Sequence, residues 1–108
     1  MGNNIILNDR DTGGYEAITV TNAAIGFSKA KISPTSGLFS GMDCREVFCT
    51  LETDSVRFTI DGSTTPTDAI GHLLTSGQNL TLRSVNDIKN FRCIRVTTDA
   101  ALKVSYKF

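Results

Sequence analysis

In Ala101-Leu102-Lys103-Val104-Ser105-Tyr106-Lys107-Phe108, the apolar Leu102, Val104, Tyr106 and Phe108 alternate with Ala101, Lys103, Ser105 and Lys107. Successive side chains of an extended chain point to opposite sides, so a period of two marks a strand with one buried and one wet face. The same reading extends back through Leu80 and Leu82 and through Val56, Phe58 and Ile60, the last run ending at an Asp61-Gly62 turn. Within Arg45–Leu51, Val47, Cys49 and Leu51 share one face. One core is expected from Val56, Phe58, Ile60, Leu80, Leu82, Ile94, Val96, Leu102, Val104 and Tyr106.

Further strands are expected over Tyr15–Val20, Ala23–Ile32 and Asn90–Thr97, with Ile25 and Phe27 in the core. Turn chemistry separates them at Thr21-Asn22, Asn86-Asp87 and Thr98-Asp99. Asp68–Leu74 is the sole helical candidate, with Asp68 as cap and Gly77 as stop; Gly71 weakens it, leaving a single turn or an irregular strand as the alternative. These elements predict an all-β domain: a β-sandwich or jelly-roll-like module of seven or eight mostly antiparallel strands with at most one short helix. Residues 1–14 read as an N-terminal arm and residues 15–108 as the sandwich.

A chain of 108 residues with 40% hydrophobic content is enough for one domain and its core. Lysine plus arginine and aspartate plus glutamate number 11 each. That balance lacks the basic excess by which nucleic-acid modules neutralise phosphate, so no nucleic-acid partner is expected. No run reaches membrane-spanning length. Met1-Gly2 carries Ile6 where a myristoylation signal needs serine or threonine, and no basic segment precedes Ile5-Ile6-Leu7 as in a signal peptide, so no membrane partner is expected either.

Cys44, Cys49 and Cys93 read as buried free thiols of a cytosolically folded protein. On one strand, Cys44 and Cys49 face opposite sides, so at most one of them can meet Cys93.

No motif assembles a catalytic site, and no cofactor or metal is expected. His72 is the single histidine; it lies outside any nucleophile context and reads as a structural residue bonded to the backbone. The spacing of Cys44 and Cys49 is not that of a zinc knuckle. Asp9-x-Asp11-x-Gly13 lacks the later ligands of a calcium loop. Asn79-Leu80-Thr81 has the form of a glycosylation acceptor without a secretory leader. Tyr15 and Tyr106 are the only tyrosines and there is no tryptophan, so an aromatic sugar platform is not expected. What remains is surface: Ile5, Ile6 and Leu7 in the arm, and Leu38 and Phe39 inside the Gly/Ser/Pro/Thr loop Ser33–Met42, are the candidate partner contacts. The plainer alternative folds each back onto its own sandwich.

Five segments in order resemble one family: Val56-Arg57-Phe58-Thr59-Ile60-Asp61-Gly62, Gly71-His72-Leu73-Leu74, Gly77-Gln78-Asn79-Leu80-Thr81-Leu82, Phe91-Arg92-Cys93-Ile94-Arg95-Val96 and Leu102-Lys103-Val104-Ser105-Tyr106. The pattern, spanning Ser55–Phe108, resembles small structural proteins of tailed bacteriophages and prophages, encoded in head or neck gene clusters. The resemblance implies a non-enzymatic virion protein made in the host bacterial cytoplasm. It would decorate the capsid or attach at the head–tail neck, bind capsid, portal-proximal or fibre proteins, and form a homo-oligomer. The Asp61-Gly62 turn followed by Pro66-Thr67 also resembles small sandwich domains attached to chitin- and hexosamine-degrading enzymes, which implies the alternative of a carbohydrate-binding or adhesion module.

Overall fold

Residues 10–108 are described by a computed structural model, and seven strands account for most of their regular structure. They are β1 (Thr12–Val20), β2 (Glu46–Glu52), β3 (Val56–Thr59), β4 (His72–Leu74), β5 (Asn79–Leu82), β6 (Arg92–Arg95) and β7 (Ala100–Lys107). Two antiparallel sheets result, one ordered β1-β7-β2-β5 and the other β4-β3-β6. This is the all-β sandwich that the alternation predicts.

The burial pattern follows the alternation closely in β7, where Ala100, Leu102, Val104 and Tyr106 are buried and the residues between them half-buried. Both neighbours of β7 match it in register: Leu102 faces Ile18 and Leu51, and Val104 faces Glu16 and Cys49. From the second sheet Val56, Phe58, Leu74 and Cys93 complete one continuous core. Its centre is aromatic. Phe27 stacks on Phe91 at 4.4 Å and meets Tyr106 edge-on at 5.7 Å, while Phe91 also stacks against Phe58.

Several expectations need correction. Ile94 and Val96 are half-buried and lie outside the core cluster, and Ile60 and Leu80 only pack against its edge. The cause is register. Cys93 stands opposite the inward Phe58, which turns Ile94, opposite Arg57, to the outer face.

The expected strand at Ala23–Ile32 is a single bridge, Ile25 with Cys93, followed by the short helix α1 (Lys29–Ile32). A second helix, α2 (Val85–Asn90), replaces the expected turn at Asn86-Asp87. Ser84 caps it by accepting from the Asp87 backbone N–H, and Ile88 anchors it in the core. Two short helices therefore stand where at most one was expected, and Asp68–Leu74 is not one of them. Gly71, at φ +120°, turns the chain there into β4. A methyl at that position would meet the Phe58 carbonyl oxygen at 2.9 Å.

The first strand begins at Thr12 rather than Tyr15, so residues 12–14, read as arm, belong to the sheet. Gly13-Gly14 forms a bulge in β1. A methyl on Gly13 would lie 2.6 Å from the Phe108 ring. Residues 1–9, including Ile5, Ile6 and Leu7, lie outside the described residues.

Asp54 ties the two ends of the sandwich linkers together. Its carboxylate accepts from Ser55 N–H and from both the backbone and hydroxyl of Thr98, joining the β2–β3 connection to the β6–β7 turn.

Candidate functional site

The loop Ser33–Met42 divides the two residues that the sequence pairs. Phe39 folds back and stacks on Phe108 at 4.8 Å, against the edge of the core. Leu38 points the other way and is 87% exposed, while Met42 on the same loop is 43% exposed. The loop is held by its own backbone: Gly41 N–H donates to Pro34 O, Met42 N–H to Phe39 O and Ser40 N–H to Gly37 O. Leu38 is thus displayed on an ordered tip.

The outer face of the four-stranded sheet carries aromatic surface that the sequence reading did not credit. Tyr15 on β1 and Phe48 on β2 are 58% and 40% exposed. Both stand in register with Ser105 of β7, one on each side of it. The signal was present in the sequence, because placing Val47, Cys49 and Leu51 inward obliges Phe48 to face outward.

Polar chemistry on the other sheet gathers around an open depression of about 380 Å³ lined by Thr59, Asp61, Thr64, Ile70, Gly71 and His72. Asp61 is fully committed within its own turn. It accepts from the Thr64 hydroxyl at 2.6 Å, from Thr64 N–H at 2.9 Å and from Ser63 N–H at 3.2 Å, bonds that hold its pKa down at about 2. His72 is exposed, with its ring 5.3 Å from Phe58, and is not placed as the backbone-bonded residue expected.

Tyr106 is fully buried yet keeps a polar partner. Its hydroxyl donates to Glu16 Oε1 at 2.6 Å, and the Ser28 hydroxyl donates to Glu16 Oε2. Burial works to raise the Glu16 pKa, but these two bonds, a Ser28 backbone bond and the Lys31 charge outweigh it and lower it. Burial, together with the Glu16 carboxylate, raises the Tyr106 pKa.

All three cysteines are buried and free. Cys44 lies just outside β2, where its thiol donates to the Glu46 and Lys107 carbonyls. Desolvation pushes Cys49 and Cys93 up to about 12, so both are thiols rather than nucleophilic thiolates. Among the described residues no group of three or more His, Cys, Asp or Glu side chains is arranged to hold a metal ion. No described helix is long and apolar enough to cross a membrane.

Compared with known proteins, the chain matches no family model, no curated protein and no solved structure.

Proposed function

We propose that this protein is a non-enzymatic structural subunit of a tailed-phage virion, decorating the capsid or attached at the head–tail neck. It acts through protein–protein contacts and assembles in several copies. The observation that carries the binding reading is Leu38. A leucine left 87% exposed on a loop whose backbone is fixed by its own hydrogen bonds is an anchor presented without further ordering cost. Phe39 supports it from below by locking the loop to Phe108. The assignment to a virion rests on the resemblance of Ser55–Phe108 to head and neck proteins. Ile5, Ile6 and Leu7 are proposed as a second contact, docking on a neighbouring subunit.

Purified particles of a phage or induced prophage carrying this gene test the proposal. Mass spectrometry should find the protein in the particles at a stoichiometry set by capsid or neck symmetry. Leu38→Asp should lower its incorporation while the circular dichroism spectrum stays β-type. Absence from particles, with capsid and portal genes nowhere near its own, would overturn the virion reading.

A further inference from the structure

We infer that the outer face of the β1-β7-β2-β5 sheet is a binding site for an extended, neutral polysaccharide chain. This goes beyond the assembly reading, which concerns the Leu38 loop rather than the sheet face.

The register places Tyr15, Ser105, Phe48 and Thr81 in one cross-strand row, and Ala17, Lys103, Thr50 and Asn79 in the next. Two exposed aromatic side chains therefore flank a serine. They sit two strands apart, roughly 10 Å at the usual strand spacing. Ser105 is too small to fill the gap, so a ligand laid across the strands meets an aromatic side chain, then a hydroxyl, then a second aromatic side chain.

A pyranose ring has one chemistry on its faces and another at its rim. Its C–H groups form flat apolar patches that stack on aromatic rings, and its hydroxyls need donors and acceptors in turn. Tyr15 and Phe48 supply the first. Ser105, Thr81, Thr50 and Asn79 supply the second, each able both to donate and to accept.

Charge and area decide against the competing occupants. Arg83 and Lys107 are both paired with Glu46 in the row at one end of the face, at 3.5 and 3.8 Å. Lys103 stands diagonal to Glu52 across the β2–β7 pair, within reach of its field. Three cations against two carboxylates leave the face one net positive charge, short of the row of unmatched cations that a phosphodiester chain requires, although its aromatic side chains would suit stacked bases. A face of four strands, four to nine residues long, covers about 500 Å², below the ~800 Å² per partner of a stable protein interface. Its centre bears hydroxyls where such an interface is most apolar. A neutral sugar chain needs neither charge nor large area.

Native gels containing hydroxyethyl cellulose, mannan or dextran, together with an array of neutral and acidic glycans, test the inference. At least one neutral polysaccharide should retard the protein. Tyr15→Ala and Phe48→Ala should each weaken binding tenfold or more, and the double variant should abolish it. Ser105→Arg, which fills the gap while leaving both aromatic side chains in place, should block binding as well, whereas Leu38→Ala should not. The inference is overturned by an array without neutral binders, or by retardation that survives Ser105→Arg and the double variant. It is equally overturned if the two aromatic side chains instead govern binding of an oligo(dT) probe or a dimer seen by sedimentation.

Discussion

The Tyr106 hydroxyl donates to Glu16 Oε1 across 90 residues of sequence, joining the strand that opens the described fold to the one that closes it. Glu16 stands opposite Val104, on the inward side of the edge strand β1, and its carboxylate is held there by Tyr106 and Ser28. An inward charge on an edge strand also discourages a second chain from adding to that edge.

Tyr106→Phe removes one donor and leaves the half-exposed Glu16 carboxylate partly rehydrated. The expected loss is about 1–2 kcal/mol, at the lower end for a hydrogen bond to a charged group because water can replace the donor. The Glu16 pKa is lowered from its ordinary 4.5, so its contribution is present above that value and fades as the pH falls below it. Urea titrations at pH 7 and pH 3 should show the gap between wild type and Tyr106→Phe narrowing at the lower pH.

Phe58→Ala should cost about 3–5 kcal/mol, the transfer and cavity terms for a buried ring. Ile94→Ala, on the outer face of the same sheet, should cost well under half of that. Equal losses in denaturant titrations would mean that β6 pairs one residue out of register.

The core thiols should be inert. With Cys49 and Cys93 pushed up to about 12 and buried, a disulfide reagent at pH 8 should leave both unmodified in the folded protein. All three cysteines should react at once in guanidinium. Rapid native labelling of Cys93 would place it at the surface.

Asp61 titrates at about 2 in the fold against an ordinary 3.8. A depressed acid stabilises above its unfolded value and loses that effect as the pH falls from about 4 to about 2. Asp61→Ala should therefore loosen the turn through Thr64 at neutral pH, seen as faster amide exchange at Ser63 and Thr64, while the rest of the sandwich stays protected. Unchanged exchange would mean that the carboxylate does not hold the turn.

The alternation in Leu102–Phe108, Leu80–Leu82 and Val47–Leu51 made the sandwich legible, because a half-buried strand leaves its period in the sequence. Ala23–Ile32 misled because Ile25 and Phe27 carry the same spacing on a stretch that makes only one bridge before turning helical. The helix at Val85–Asn90 was missed because six residues with one buried side chain, Ile88, show no helical period. Leu38 and Phe39 were identifiable as a pair, but their opposite fates depend on Phe108, 69 residues after Phe39, which local reading cannot supply. Tyr15 and Phe48 became a pair only once β7 was known to lie between their strands.

That placement of β7 has a consequence for the birth of the protein. The strands β1 and β2 are not neighbours; each bonds to β7, which fills the gap between them. A ribosome delivers β7 last of the seven, so β1 waits unpaired until every strand of the second sheet has already been made. The four-stranded sheet can close only when that final strand slides between the two. The long loops to be closed for these pairings are slow steps, so the four-stranded sheet should close only after β7 has left the ribosome.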